Sequence, residues 1–236
     1  MKLLLLSFEY NLFLFFRIKQ VLFFTLIFPL FLFIIFVTIW GTNNPLYVKF
    51  ILSGVLGMTI MNEGLFTIGP TLRDYKVTNF MQYLQRMPHA VIPYFGGLIF
   101  SRIVVMLLIA TIMYIIGYMF FGMTNSFIFI FRIVLFIVIG MFIFSFVGLI
   151  LAFANLRHSS NRNLTNFIQV IILFISDAFY PASQINAIIG TIGDILPLNP
   201  ILKFVRGGII SPLLLAWVFI PPTFFYVFFM KIKNDR

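Results

Sequence analysis

Six apolar runs, separated by short polar segments, account for most of the chain. A helix needs about 20 consecutive apolar residues to cross the roughly 30 Å hydrocarbon core of a bilayer. The pattern therefore predicts six membrane-spanning helices, at residues 21–40, 50–70, 97–121, 133–154, 167–180 and 213–230.

The segment before the first span, residues 1–20, has a different pattern. At helical spacing Lys2, Glu9, Arg17 and Gln20 fall within a sector of about 80°, and the remaining positions are largely apolar. Glu9 interrupts the apolar run and no small-residue cleavage site follows, which argues against a cleaved leader. We expect an amphipathic helix that lies in the cytoplasmic interface of the membrane.

The most polar stretch of the chain, residues 71–88, separates the second and third spans. Val77, Phe80, Met81 and Leu84 recur at positions i, i+3, i+4 and i+7, which predicts a helix at residues 75–86 with one apolar stripe. Such a stripe either packs into a groove on a partner protein or rests on the lipid surface. Periodicity alone leaves both alternatives open.

Residues 181–208 contain two apolar pieces, each too short to cross the membrane, with Pro197 and Pro200 between them. Proline breaks a helix because it has no N–H group and clashes with the preceding turn. This pattern predicts a broken helical hairpin that dips into the membrane from the extracellular side and returns, between the fifth and sixth spans.

Composition and charge agree with a membrane location. The chain is 62% hydrophobic, with a mean hydropathy of +1.11, and only 9% of its residues are charged. With the N-terminus inside, Lys49, Lys203 and Arg206 lie outside, against eleven Lys and Arg residues in cytoplasmic segments. The sequence therefore predicts an all-α membrane protein, one polytopic domain over residues 1–236 with both termini in the cytoplasm.

Several kinds of function are not expected from this sequence. The net charge of +10 is spread along the chain without a cluster, so we expect no nucleic-acid partner. There is no cysteine, and both histidines fall in cytoplasmic loops, so no catalytic or metal-binding residue is predicted. A phosphate-binding loop of the form GxxxxGK[ST] does not occur, and we expect neither enzyme activity nor a cofactor in this chain.

Three features in order resemble the membrane subunit of ATP-binding-cassette exporters, in the type-2 ABC permease family. The first is the amphipathic N-terminal segment, and the second is Arg73 and Asp74 followed by a short helix that ends at Arg86, Met87 and Pro88. The third is a broken apolar loop that follows Phe179, Tyr180 and Pro181 and ends with residues 196–200, Arg206 and Gly207. Leu72 stands where the family often has an acid, and Asp177 stands where it usually has a small residue.

The resemblance implies that residues 75–86 are a coupling helix, which docks on a separate cytoplasmic ATPase subunit. That subunit would bind ATP and Mg²⁺, and a second permease copy, identical or not, would complete the pathway in a bacterial cell membrane. The coupling contacts implied for this chain are Arg73, Asp74, Val77, Phe80, Met81, Leu84 and Arg86.

Two acids within the predicted spans are candidates for the substrate pathway or for gating, together with their neighbours Asn62 and Tyr180. Glu63 either forms a structural pair with Arg102 or Arg73, which we favour, or lines the cytoplasmic mouth of the pathway. Asp177 either contacts substrate or is exposed at the outer interface. Arg102 is expected near a span end, with its side chain reaching water.

These patterns favour a permease subunit that exports an amphipathic or hydrophobic substrate such as a drug, antibiotic, peptide or lipid. The alternative is a secondary transporter or channel that works without an ATPase. That class is expected to show ionisable residues at the membrane midplane or paired broken helices in two halves. Only one broken segment is evident in the sequence.

Overall fold

The computed structural model is helical throughout the part of the chain that it describes, and no strand occurs there. It describes residues 2–41, 44–71, 74, 86–87, 90–124, 126–152 and 158–234. The prediction of an all-α fold is confirmed for these residues.

Five long helices come first. They are α1 (Lys2–Arg17), α2 (Lys19–Trp40), α3 (Pro45–Thr71), α4 (Val91–Phe121) and α5 (Phe127–Ala152). After these come α6 (His158–Ile175), the short helices α7 (Ala182–Ile185), α8 (Ala187–Ile195) and α9 (Leu198–Gly207), and finally α10 (Pro212–Asn234).

Helices α2 to α5 are each long and apolar enough to cross a membrane. The pair α8 and α9 counts as at most one more span, and the apolar parts of α6 and α10, Asn163–Ile175 and Pro212–Phe224, are shorter. These findings support a multi-pass membrane protein. The exact six-span arrangement and its orientation stay predictions.

Helix α3 is the central helix of the bundle. In its most apolar stretch 83% is buried, against 22% in the corresponding stretch of α2 and 33% in that of α4. Small residues allow α5 to approach it closely. A Cβ atom added at Gly64 would lie 2.6 Å from the backbone carbonyl carbon of Phe144, and Gly69 lies against the backbone of Gly148 in the same way. Close backbone contact through glycine is a common way for helices to associate in lipid.

Helix α1 packs along the beginning of α4. A Cβ atom at Gly97 would lie 2.6 Å from the carbonyl oxygen of Leu4, so only glycine fits there. The Ser7 hydroxyl donates a 2.6 Å hydrogen bond to the carbonyl of Tyr94, and the Asn11 amide donates to the carbonyl of Ser7 at 2.8 Å. The polar residues on this side of α1 therefore have partners, while its interfacial placement stays a prediction.

Helix α6 ends at Ile175, whereas the sequence predicted a fifth span that continues to residue 180. The last helical hydrogen bond runs from the N–H of Ser176 to the carbonyl of Ile172. Beyond it the backbone groups of Asp177 and Ala178 bond to side chains of α9. Pro181 also disfavours a helical conformation at the residue before it. The helix therefore ends before the predicted end of the fifth span because distant polar side chains take these backbone groups, and the span itself stays a prediction.

The predicted break near Pro197 is present, and α8 and α9 meet at an angle of 97°. Asn186 begins α8 by accepting hydrogen bonds from the N–H groups of Ile188 and Ile189. Beyond the break, Asn199 of α9 is completely buried. This bend brings α9 against α3 and α5, while the extracellular, re-entrant placement stays a prediction.

Candidate functional site

Three polar side chains from three helices meet inside the bundle, and we call this group, with Phe15, the Glu63 cluster. The Thr25 hydroxyl of α2 donates a 2.7 Å hydrogen bond to Oε1 of Glu63 on α3. Nη1 of Arg102 on α4 lies 3.8 Å from Oε2 of Glu63, which is ion-pair distance but not a hydrogen bond. Glu63 is 4% exposed and Arg102 is 8% exposed.

Two π-helical turns flank this cluster. One, Phe23–Ile27, contains Thr25, and the other, Gly64–Ile68, begins directly after Glu63. In the first turn the N–H of Phe28 donates to the carbonyl of Phe23, five residues back. Pro29 has no N–H to offer the usual partner, the carbonyl of Thr25, which is a local reason for the irregular turn. Turns of this kind occur frequently at functional sites.

The hydrogen bonding of the Glu63 cluster is incomplete. Among the described residues, Oε2 of Glu63 and both Nε and Nη1 of Arg102 have no hydrogen-bond partner. The Phe15 ring lies 5.4 Å from the guanidinium of Arg102 and gives a weak cation–π contact. Buried polar atoms without partners are costly, so this site is suited to a polar ligand or to a change of partner.

The residue before Glu63 links α3 to a further helix. Nε2 of Gln169 on α6 donates a 2.5 Å hydrogen bond to Oδ1 of Asn62. Successive helical residues point about 100° apart, so Asn62 and Glu63 connect α3 to helices on different sides. These two adjacent residues of α3 thus make polar contacts with α2, α4 and α6.

A second polar group lies towards the beginning of α3, and we call it the Arg206 cluster. The guanidinium of Arg206 on α9 donates to Oγ of Ser53 at 2.8 Å and to the carbonyl of Phe50 at 3.0 Å. It also donates to the carbonyls of Asp177 at 2.7 Å and Ala178 at 3.4 Å. Its centre lies 3.7 Å from the centroid of the Phe50 ring.

Asn199 completes the Arg206 cluster by accepting a 2.7 Å hydrogen bond from the N–H of Asp177. Asp177 is 8% exposed, which argues against the alternative in which it is exposed at the outer interface, while substrate contact stays a prediction. Within the described residues its Oδ1 has no hydrogen-bond partner. The Tyr180 hydroxyl donates to the carbonyl of Phe174, so this tyrosine bonds to the final turn of α6.

The structure thus separates the residues that the sequence placed in one pathway group. Asn62 and Glu63 lie at one part of α3, whereas Asp177 is linked through Arg206 to Ser53, at another part, where Ala178 contacts Gly54. Of the two partners predicted for Glu63, Arg102 lies within ion-pair distance, and Arg73 is outside the described residues. The roles of these residues stay predictions.

Arg102 does not lie near a span end, contrary to expectation. Helix α4 begins at Val91, six residues before the start of the predicted span at residue 97, so Arg102 lies well inside the helix. Sequence reasoning also missed Thr25, Asn199 and Gln169 as partners. The sequence shows only that each of these residues is polar and has apolar neighbours. That signal does not identify the helix that the side chain contacts.

Most of the predicted coupling contacts lie outside the described residues, namely Arg73, Val77, Phe80, Met81 and Leu84. Asp74 and Arg86, near its two ends, are exposed. Among the described residues no group of three His, Asp or Glu side chains could hold a metal ion.

Two comparisons with known proteins bear on the identity of the chain. The family model described as ABC-2 type transporter matches residues 2–210. No curated protein matches the sequence significantly.

Proposed function

Because the chain belongs to the ABC-2 type transporter family of permeases, we propose that it forms the translocation pathway of an exporter driven by a separate ATPase. Members of this family are membrane subunits for transport and normally work with an ATP-binding-cassette subunit. The family match over residues 2–210 is the observation that carries this proposal.

The coupling element in this proposal is residues 75–86, where the apolar stripe of Val77, Phe80, Met81 and Leu84 docks on the ATPase. The chain order supports this assignment. The segment connects α3, which carries Glu63, with α4, which carries Arg102. A force applied to the segment therefore acts on both partners of the buried ion pair.

For the substrate we propose an amphipathic or hydrophobic molecule, such as a drug, antibiotic, peptide or lipid. The bundle supports this class because it combines apolar helices with a few buried polar groups. We further propose that a second permease copy completes the pathway in a bacterial cell membrane, with ATP and Mg²⁺ bound only by the partner ATPase.

Charging the stripe tests the coupling assignment. Phe80→Asp or Leu84→Asp would bury a carboxylate in an apolar interface, and we expect at least about a tenfold loss of ATPase association and transport. Gln82→Asp is the matched control, because it adds the same charge on the polar side of the predicted helix and should leave both properties unchanged.

The measurement is recovery of the ATPase with the tagged permease from native membranes, together with ATP-dependent efflux from cells. Equal membrane insertion of all three variants shows that the loss is not a folding defect. Full association and full transport by Phe80→Asp and Leu84→Asp would refute docking through this helix.

A secondary transporter is the second candidate, and the buried pair of Glu63 and Arg102 favours it, since ionisable residues at membrane depth are common in that class. Vesicles containing the permease alone separate the two functions. Uptake driven by an ion gradient without ATP would favour the secondary transporter, and uptake only with the ATPase and ATP favours the exporter.

A further inference from the structure

We infer that the Glu63 side chain has two arrangements. In the open arrangement, seen here, it is bonded to Thr25, and in the closed arrangement it is hydrogen-bonded to Arg102. The role of this switch in transport rests on the proposed function, whereas the existence of the two arrangements does not.

The open arrangement follows from the bonding of the pair. Nη1 of Arg102 and Oε2 of Glu63 are 3.8 Å apart, while the ion pair of Lys203 and Asp194 is closed at 2.6 Å. The open pair is also the more buried one, with side-chain exposures of 10% and 5% against 41% and 35%. A separated pair is least favourable where water cannot compensate for it.

The closed arrangement needs only a small movement. Within the described residues, Nε and Nη1 of Arg102 and Oε2 of Glu63 are all available for new bonds. Charge-assisted hydrogen bonds form at about 2.7–2.9 Å, so an approach of about 1 Å would close the pair. The Thr25 hydroxyl holds the other carboxylate oxygen at 2.7 Å and therefore opposes this approach.

The two π-helical turns provide a source for the movement. The hydrogen-bonded ring of a π-helical turn contains one residue more than the ring of an α-helical turn. When this extra residue moves to another position in the helix, each side chain that it passes rotates by about 100° around the helix axis. Phe23–Ile27 contains Thr25, and Gly64–Ile68 follows Glu63 directly. Conversion of either turn to α-helix would change how Thr25 and Glu63 face each other.

The chain is suited to a direct test because it contains no cysteine. Phe24→Cys and Phe100→Cys place spin labels on α2 and α4 at side chains that are 59% and 52% exposed, outside the cluster. Distances between the labels are measured by electron paramagnetic resonance, with the full-length chain in lipid nanodiscs. Because Phe24 lies within the π-helical turn Phe23–Ile27, a shift of that turn rotates the label on α2, and we expect two distance populations.

Two variants of the labelled chain should shift these populations in opposite directions. Thr25→Val removes the hydroxyl that holds the open arrangement, so the closed population should rise about fivefold relative to the open one. Glu63→Gln removes the charge that attracts Arg102 and should lower the closed population by a similar factor. Glu9→Gln makes the same chemical change at an exposed position on α1 and should give the original distribution.

Opposite shifts are not expected if the cluster only stabilises the fold. A single population that is unchanged by both variants would overturn the inference, and so would shifts in the same direction. Because Thr25→Val retains both charges, it decides the matter even if Glu63→Gln does not insert.

The connection to transport is tested on the complex recovered from native membranes. ATP should change the ratio of the two populations, and Phe80→Asp should abolish this response. If no ATPase is recovered, the proposed function fails, while the populations of the isolated chain still decide whether the switch exists.

Discussion

The two polar clusters on α3 contain the same kinds of groups but differ in how many hydrogen bonds their arginines make. In each, an arginine from another helix reaches α3 and lies near a phenylalanine ring, Arg206 at Phe50 and Arg102 at Phe15. Arg206 donates four hydrogen bonds, whereas Nε and Nη1 of Arg102 have no acceptor among the described residues.

This difference indicates different mechanical roles for the two parts of α3. A guanidinium whose bonds hold Ser53 and three backbone carbonyls fixes α9 and the 176–180 segment against α3. At the Glu63 cluster, a change of partner breaks fewer bonds. The part of α3 near Arg206 is therefore anchored by more polar bonds than the part near Glu63.

The same substitution at both arginines tests this comparison most strongly. Arg206→Lys should lower the free energy of unfolding by about 3 kcal/mol, because an ammonium cannot reproduce the fork of bonds and leaves buried carbonyls without donors. Arg102→Lys should cost about 1 kcal/mol or less, since fewer bonds are lost. Thermal unfolding in nanodiscs measures both, and equal losses would contradict the comparison.

A glycine contact at the anchored part should give the next largest effect. A Cβ atom at Gly54 would overlap the carbonyl oxygen of Ala178, so Gly54→Ala should force the 176–180 segment away and cost about 2 kcal/mol. Gly96→Ala is the control, because its nearest neighbour would be 3.7 Å away, at Leu4.

Gly96→Ala should instead be neutral or slightly stabilising, as alanine favours a helix over glycine by about 1 kcal/mol. Both variants can be compared by the temperature at which the protein aggregates in detergent. Equal stability of Gly54→Ala and the parent chain would show that the 176–180 segment is not held in place.

The smallest effect is expected for the half-exposed ion pair of Asp194 and Lys203. Asp194→Asn should cost about 0–1 kcal/mol, with a difference that shrinks at high salt. Asn199 also donates to Asp194, at 3.4 Å, and an asparagine oxygen can still accept that bond. A large, salt-independent loss of stability would show that this pair also helps to hold α9 in place.

The helices were predictable from sequence where length and apolarity decide, as for α2 and α5. The end of α6 was not, because Arg206 and Asn199 take the backbone groups of residues 177 and 178 from distant positions in the chain. Arg102 was misplaced because α4 begins at Val91, before the predicted start of the span at residue 97. Glu63 was identified as a candidate from its cost in lipid, but its contact with Thr25 carries no sequence signal.

The packing of α1 on α4 has a consequence for biosynthesis. Ser7 bonds to the carbonyl of Tyr94, 87 residues further along the chain. At synthesis rates of about 5–20 residues per second, α1 waits roughly 4–17 s for its partner to leave the ribosome. During that interval the Ser7 hydroxyl lacks its acceptor on α4, so α1 completes this contact only after the beginning of α4 has been synthesised.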